Sequence, residues 1–587
     1  MATGTHDPIL DQPQSIDVEE IAPNARAVYG NQDLTFAVDA QSDLHDLTWP
    51  WADAPYVRSL RLQVTDPQHE ELVPLVTRYF PGYQETILGS EGMIVSKQIA
   101  APLGSAYDRA VIWLLACQAE GDRLLRVEVE IDWGEPLTQR MVDGLLVAQH
   151  NPGQARGIYA QHNADSTRVF GNPHGRATGV ELFADGRARL TYFVLVNGMV
   201  EVPLLLTVSD VGEQVAWNGF LALRDAERAF EVSTNTWEKL LKTGRLWTPD
   251  AHLNRAVQAG RLAALRSLQR LRSGLAPTDR ALVRLPALVR VLDSCDPVQS
   301  ENLLAHARRV AERSEGRLPA RFPLRPQDAP EPATDLECAE AVTAYLRALN
   351  EHLQRRPNAE LLGEHTPGVA ACAEAVLRLR LEQPDGPPAV HAAASRALRQ
   401  AVIFATKQHD SANALRWESE ACELERLALE GGAAVESDAS PLSARLAQAG
   451  WVYATDRPWF FQDPWQGIAL GGEAVWGPYG PHLRQDRWTV YPKRGHAWRW
   501  WALLDLPTPA GSLSLVWDGA TLHSTLPVHS DHPVVVYRRI RTRGTDEQDF
   551  NLHFEMTPAD EQGGMAQRVV FRPTFDPVAP PVPPGQE

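Results

Sequence analysis

Apolar and polar residues alternate along the first 235 residues in short runs that predict β-strands. The alternation is clearest at residues 59–64 and 125–131, and a more continuously apolar run follows at residues 189–196. Gly121 and Gly186 each follow an acidic residue and supply turn signals between such runs. Many strands with almost no strong helical periodicity predict a large antiparallel β-sandwich.

The periodicity becomes helical after Trp247-Thr248-Pro249-Asp250, where Asp250 is a candidate N-cap. From there to about residue 430, apolar residues recur at helical spacing in about seven segments. These segments are residues 253–271, 282–292, 300–313, 335–353, 367–381, 390–406 and 411–429. The loops between them are mostly short, so consecutive helices are predicted to pair as antiparallel hairpins, with Asp335 capping the fourth helix.

The pattern returns to β beyond Gly450, in a segment that is unusually rich in tryptophan. Residues 513–517 and 533–537 read as strands, and nine of the 17 tryptophans lie between residues 451 and 517. The predicted fold class is therefore multidomain α+β. The predicted parts are a β-sandwich at residues 1–240, a helical-hairpin domain at 247–432, a Trp-rich β-domain at 441–575 and a disordered tail at 576–587.

The charge of the chain argues against two classes of partner. The net charge is −18 at pH 7, and such a surface repels both nucleic acid and an anionic membrane. The first 15 residues contain no apolar stretch of the kind found in a signal peptide. No run reaches the roughly 18 apolar residues of a membrane span. We expect a cytoplasmic protein of bacterial type.

The five cysteines predict neither a zinc site nor a disulfide framework. Their number is odd, and no two of them stand in a Cys-x-x-Cys spacing. The sequence also contains no P-loop, no dinucleotide-binding glycine fingerprint and no His-Glu-x-x-His motif. No metal and no cofactor are therefore predicted, and the oligomeric state is left open.

Several short motifs resemble those of the six-hairpin glycosidases, which include glucoamylase-like and glycogen-debranching-like proteins. The motifs are residues 247–254, Thr278-Asp279-Arg280, Glu315-Gly316-Arg317-Leu318-Pro319 and Ala333-Thr334-Asp335. The resemblance implies a β-supersandwich that leads into an α/α toroid, and activity on an oligosaccharide or α-glucan. Because a full toroid has more helices than the seven predicted here, we expect a shortened, partial toroid.

Glycoside hydrolysis typically needs two carboxyl groups that face one sugar bond. The resemblance implies Glu382 as the general acid, although the flanking tryptophan of the family motif is absent, and Asp335 or Glu315 as the second carboxylate. Each residue also has a simpler interpretation. Glu382 would be a solvated residue at a helix end, Asp335 a helix cap and Glu315 an exposed loop residue.

Aromatic and arginine side chains bind sugars by stacking and hydrogen bonding. The predicted substrate-binding residues are Trp247, Arg321, Phe322, Trp417, Trp465 and Trp476. Trp465-Gln466-Gly467 and residues 477–481 are predicted as loops that present aromatics, with burial in a core as the alternative. Two functions stay open: an enzyme acting on an oligosaccharide or polysaccharide, or an inactive relative that serves as a glycan-binding or protein-interaction scaffold.

Overall fold

In the computed structural model of the protein, the chain divides into two compact units. One contains residues 13–239 and the segment 453–458, and the other contains the rest of the described chain. The structure describes residues 14–17, 26–48, 55–67, 72–150, 166–329, 331–382, 386–432, 451–454, 457–461, 464–476, 481–484, 487–492, 498–546, 551–558 and 569–571. The predicted tail at 576–587 and the loop residues 477–480 lie outside the described residues. The predicted domain boundaries stay predictions.

The first unit is built on one 14-stranded sheet. Its strands are β1 (Gln14–Asp17), β2 (Arg26–Gly30), β3 (Thr35–Asp39), β4 (Leu44–Thr48), β5 (Val57–Thr65), β6 (Val73–Tyr79), β7 (Tyr83–Ser90), β8 (Met93–Ala100), β9 (Ala110–Asp132), β10 (Thr138–Val142), β11 (Leu145–Gln149), β12 (Thr167–Gly171), β13 (Gly179–Leu182) and β14 (Arg187–Ser209). The main path runs β1-β6-β7-β8-β9-β14-β12-β11-β10, and β2 to β5 join it through β9. The long strands β9 and β14 pair antiparallel from Arg187↔Asp132 to Thr207↔Ala110.

The three strands predicted from alternation are confirmed as parts of β5, β9 and β14. In β5, Leu60, Leu62 and Val64 are buried and alternate with more exposed residues. The expectation of almost no helix before residue 235 is wrong, because α1 (Glu213–Ala222) and α2 (Ala226–Lys242) follow the last strand. The buried residues Ala226, Ala229, Trp237 and Leu241 of α2 follow a helical period that the strand-rich context obscured.

The second unit contains the predicted seven helices between residues 250 and 430. They are α3 (Ala251–Arg266), α4 (Leu285–Cys295), α5 (Pro297–Arg313), α6 (Asp335–Arg355), α7 (Ala359–Glu382), α8 (Pro388–Lys407) and α9 (Ser411–Glu430). Asp250 caps α3 as predicted, by accepting a hydrogen bond from the Leu253 backbone N–H. Within this unit α4 packs on α6, α6 on α8 and α5 on α7.

Three helix boundaries differ from the prediction. The first helix ends at Arg266, because residues 268–270 pair with residues 275–277 as a short hairpin. Pro367, predicted to begin the fifth helix, lies inside α7. Thr334, and not Asp335, caps α6: its hydroxyl accepts from the Glu337 N–H while the Glu337 carboxylate accepts from the Thr334 N–H.

A further helix, α10 (Pro464–Trp476), occupies the stretch in which Trp465-Gln466-Gly467 was predicted to form a loop. The prediction treated the glycines there as loop signals. In the structure glycines allow close helix packing, because a Cβ on Gly471 would lie 3.3 Å from the backbone of Gly260 in α3, and a Cβ on Gly472 would lie 2.9 Å from the Arg290 side chain of α4. The helix therefore packs between α3 and α4.

The C-terminal strands confirm the predicted return to β structure. The remaining described strands are β15 (Arg245–Trp247), β16 (Leu268–Arg270), β17 (Leu275–Pro277), β18 (Trp451–Ala454), β19 (Arg457–Phe461), β20 (His482–Arg484), β21 (Arg487–Val490), β22 (Trp501–Thr508), β23 (Gly511–Trp517), β24 (Leu522–Ser524), β25 (Val528–Ser530), β26 (Val534–Asp546), β27 (Asn551–Pro558) and β28 (Val569–Phe571). A seven-stranded sheet runs β15-β22-β23-β24-β26-β27-β28. The fold is multidomain α+β, as predicted.

Most of the described tryptophans of this region stabilise its core. Trp488, Trp500, Trp501 and Trp517 are each at most 5% exposed. The side chains of Trp451 and Trp459 lie outside the described residues. Among the helices that the structure describes, none is long and apolar enough to cross a membrane.

Candidate functional site

A cavity of about 800 Å³ lies in the second unit, lined by α4, α6, α10 and residues 481–483. Its volume falls within the range of small-molecule sites, roughly 300–1,000 Å³. The charged and hydrogen-bonding side chains that line it are Arg290, Arg347, Glu351, Gln354, Arg355, Glu473, Trp476 and His482. The remaining lining is apolar, from Val283, Pro286, Ala287, Ala469, Pro481 and Leu483. One wall is therefore charged, and much of the rest is apolar.

Helix α6 supplies the charged wall because of its residue spacing. Arg347, Glu351 and Arg355 are four residues apart and so lie on one face of the helix. Arg290 reaches the same face from α4, and Trp476 reaches it as the last residue of α10. The cavity is thus assembled from residues far apart along the chain, and Arg290 and Trp476 are separated by 186 positions.

Glu351 lies at the centre of the charged wall and binds three arginines. Its carboxylate accepts hydrogen bonds from Arg290 Nε at 3.0 Å and Nη2 at 2.7 Å, from Arg347 Nε at 2.9 Å and from Arg355 Nη2 at 2.6 Å. Burial alone would raise the pKa of Glu351, but the charges of Arg290 and Arg355 outweigh it and lower the pKa to about 2. Glu351 is therefore ionised at neutral pH and does not serve as a proton donor.

A second carboxylate, behind the cavity, holds Arg355 in place. Asp293 of α4 accepts from Arg355 Nη1 at 2.7 Å and is hydrogen-bonded to His352 Nδ1 at 2.7 Å. Asp293 and His352 are fully buried. Burial disfavours the charged form of Asp293, yet His352 and Arg355 together keep the pKa of this carboxyl below its ordinary value. Arg355 thus bridges two carboxylates and has little freedom to move.

Trp476 is held against the same wall. Its indole Nε1 donates to the backbone carbonyl of Arg290 at 2.9 Å, and the Arg355 guanidinium lies 5.3 Å from the ring centroid. Only 8% of the residue is exposed, so an edge of the ring and not a full face borders the cavity. Trp476 thus lies in the cavity lining, and its role in binding stays a prediction.

No family model and no curated protein matches the chain. Among solved structures, it is similar to a protein assigned as a kojibiose phosphorylase from the human microbiome, with a TM-score of 0.54 and 7% identity over 93% of this chain and 96% of that one. The two chains share an overall fold. The resemblance in fold that the sequence predicted is thereby confirmed.

Two further solved structures are similar over most of their length. A family GH92 inverting mannosidase from Bacteroides thetaiotaomicron has a TM-score of 0.48 and 9% identity, over 93% of this chain and 94% of that one. An α-L-rhamnosidase from Dictyoglumus thermophilum has a TM-score of 0.39 and 9% identity, over 96% and 85%. The shared fold follows from the phosphorylase alone, because these two TM-scores lie below 0.5.

Two of the three carboxylates predicted from the resemblance lie beside Arg317, away from the cavity. Arg317 Nη2 is 2.6 Å from Asp335 Oδ1, and Arg317 Nη1 is 3.8 Å from Glu382 Oε2. Glu315 precedes this arginine by two residues and is exposed, and its backbone carbonyl accepts from Arg378. The structure thus brings Asp335 and Glu382 together. The side chain of Glu382 is 62% exposed, whereas a general acid usually lies in a pocket that removes it from water.

The Arg317 cluster and the cavity lie toward opposite ends of α6. Asp335 is the first residue of the helix and Glu351 lies in its last turn and a half. At 1.5 Å per residue, their backbones are about 24 Å apart. A single sugar bond therefore cannot be contacted by carboxylates from both places.

The other predicted binding residues lie outside the cavity lining. Trp247, Phe322 and Trp417 are buried, at 1%, 0% and 4% exposure. Phe322 stacks on His306, and Trp247 packs against the Arg245 guanidinium. Arg321 is exposed at a short β-bridge with Ala281. Trp465 is half-buried on α10, below Arg284.

The site residues predicted from the sequence do not include Arg290, Glu351, Arg355 or Glu473. A signal was present, because Arg347, Glu351 and Arg355 place three charges at four-residue intervals on a helix whose other face is apolar. That pattern equally describes a solvated helix face. Only the packing of α4 and α10 against it distinguishes the two cases.

The low pKa of Glu351 predicts that part of the folding stability is lost in acid. The pKa of this carboxyl is about 2 in the folded chain and 4.5 ordinarily, so the folded state gains most from it above about pH 5 and loses that gain as the pH falls toward 2. The contribution of Glu351 to the free energy of unfolding that is lost over this range is roughly 3 kcal/mol. Urea unfolding between pH 7 and pH 2.5 measures it. The difference in stability between the native chain and Glu351→Gln should shrink as the pH falls, and a constant difference would contradict the assignment.

Proposed function

We propose that the protein is a carbohydrate-active protein that binds an oligosaccharide in the cavity between α4, α6 and α10. The observation that carries the proposal is the cavity itself, which is lined by fixed arginines, by Glu473 and by Trp476. The likeness in fold to the phosphorylase, over nearly the whole of both chains, supports a sugar as the ligand.

The lining suits the chemistry of a sugar. Hydroxyl groups donate and accept hydrogen bonds, and Arg347, Gln354 and Glu473 offer donors and an acceptor to them. The apolar face of a sugar ring packs on apolar surface, which Pro286, Ala287 and Leu483 supply. Since Glu351 and Asp293 fix the arginines, the site is organised before the ligand arrives, which favours binding.

We infer that any cleavage of a glycosidic bond in this cavity uses Glu473 as the proton donor. Glu351 stays ionised, so it contributes negative charge or activates a nucleophile, and Glu473 is the other carboxyl group among the described lining residues. The candidates implied by the resemblance, Glu382 with Asp335 or Glu315, form the alternative pair beside Arg317.

Calorimetric titration with kojibiose and longer neutral α-glucans tests the binding, and release of reducing sugar, with and without inorganic phosphate, tests the cleavage. Glu473→Gln keeps the size of the side chain, removes its charge and should weaken binding roughly tenfold, as expected for the loss of a charge-assisted hydrogen bond. It should also abolish any turnover. Glu382→Gln, the matched change outside the cavity, should alter neither.

Three outcomes separate the alternatives. Turnover that is lost in Glu382→Gln and kept in Glu473→Gln would move the chemistry to the Arg317 cluster and contradict the cavity assignment. Binding without turnover under every condition would favour a glycan-binding scaffold. No binding of any glycan would remove the carbohydrate proposal altogether.

A further inference from the structure

The charged wall of the cavity holds more guanidinium donors than its carboxylates use. Arg347 binds Glu351 through Nε, and Arg290 binds it through Nε and Nη2. Within the part of the chain that the structure describes, Nη1 and Nη2 of Arg347 and Nη1 of Arg290 make no further hydrogen bond to protein. Because both side chains line the cavity and meet at one carboxylate, these donors lie close together.

The charges of the lining point the same way. Among the described lining residues, Arg290, Arg347 and Arg355 carry three positive charges, and Glu351 and Glu473 carry two negative charges. Asp293 pairs with Arg355 from behind, together with its partner His352, but it is fully buried and lies outside the lining. The described lining residues thus include one more positive than negative charge, in a chain whose net charge is −18. An anion entering it gains from guanidinium groups whose positions are already fixed.

The apolar part of the lining indicates what kind of molecule carries that anion. Val283, Pro286, Ala287, Ala469 and Leu483 give the cavity apolar surface in addition to its charges. A free inorganic ion would leave this surface unused. A sugar ring that bears an anionic substituent matches both kinds of surface, because it combines an apolar ring face with a charged group.

We infer that Arg290 and Arg347 form an oxyanion subsite, and that the ligand of the cavity is an acidic carbohydrate bearing a carboxylate or phosphate group. The inference rests on the proposed function and narrows its substrate class. The planar guanidinium groups of Arg290 and Arg347 donate their outer N–H groups to the two or three oxygens of the anion, while Glu351 holds them from the opposite side.

Titration calorimetry with matched ligands tests the subsite. The set is a neutral α-glucan disaccharide, a uronate-containing disaccharide, glucose 1-phosphate and inorganic phosphate alone. We expect the uronate or the sugar phosphate to bind at least about tenfold more tightly than the neutral disaccharide, the size of effect that one charge-assisted interaction gives. Added salt should reduce this preference.

Arg347→Gln removes the outer donors of one arginine and leaves Glu351 bound by the other two, so the variant is expected to fold. It should lose most of the preference for the acidic ligand, so that the acidic and the neutral ligand bind with similar affinity. Arg416→Gln on α9 is the matched control, because the side chains of Arg347 and Arg416 are both 53% exposed and each pairs with a glutamate. It should behave as the native chain, and Arg347→Lys should restore part of the preference.

Equal binding of acidic and neutral ligands would overturn the subsite and leave the proposed function standing. A second contrary result is that inorganic phosphate binds as tightly as either acidic sugar, without competition from the sugars. That result would overturn the inference that the ligand is an acidic carbohydrate. If no saccharide of any kind binds, the proposed function itself fails, and the two failures are therefore distinguishable.

Discussion

Replacing Glu351 with glutamine is expected to lower the free energy of unfolding by about 3–5 kcal/mol at neutral pH, the usual result of removing one partner of a buried ion pair. Its carboxylate is the meeting point of Arg290, Arg347 and Arg355. A neutral amide keeps the volume but accepts through one oxygen only, and its NH₂ group would face a guanidinium. The arginines would then repel one another in a partly buried place.

Urea unfolding of Glu351→Gln beside Glu340→Gln measures the effect. Glu340 lies on the same helix, so its substitution removes the same charge from α6, but the described residues form no ion pair with it. We expect Glu340→Gln to change stability by less than about 0.5 kcal/mol, as surface substitutions usually do. Similar losses in both variants would show that the helix responds to net charge and not to the three-arginine contact.

Replacing Gly316 with alanine is expected to give the second large loss of stability. Gly316 lies in one of the short motifs that resemble those of the six-hairpin glycosidases. Gly316 has φ +80°, which residues with a Cβ rarely adopt. An added Cβ would also overlap the backbone carbonyl of Ala371 in α7. A backbone atom cannot rotate away as a side chain does, so the loop or the helix has to shift. We expect a loss of roughly 2–5 kcal/mol, the sum of backbone strain and overpacking.

Gly432 offers a matched comparison for the same substitution. Its φ is +81°, and a Cβ there would meet nothing within 4 Å in the described part of the chain. Gly432→Ala therefore reports the backbone strain alone, about 1–2 kcal/mol. Thermal unfolding of the two variants should separate strain from overlap. Equal losses would mean that the contact with Ala371 relaxes without cost.

The sequence resemblance and the structure place the candidate chemistry differently. The resemblance points to Glu382, Asp335 and Glu315, of which Glu382 and Asp335 come together at Arg317. The larger set of converging polar groups lies around Glu351, about 24 Å along α6. The activity assays on Glu382→Gln and Glu473→Gln decide between them, since each variant alters one place only.

The local sequence determined the elements whose signals are short-ranged. Alternation in β5, β9 and β14 and apolar spacing in the seven helices from α3 to α9 reflect which face of each element is buried, and that face is written into neighbouring residues. Caps follow the same rule, since Asp250 lies beside the N–H groups that it satisfies. The fold class could therefore be predicted before the structure was known.

Only the tertiary structure decided the tenth helix and the cavity. Gly471 and Gly472 signal a turn when they are read alone, and they become packing residues only because α3 and α4 lie against them. Arg290, Glu351 and Trp476 come from three helices far apart in the chain, so no local pattern records that they meet. A charged helix face looks the same in sequence whether it borders water or borders Arg290, Trp476 and a cavity, because the difference lies in the neighbouring helices.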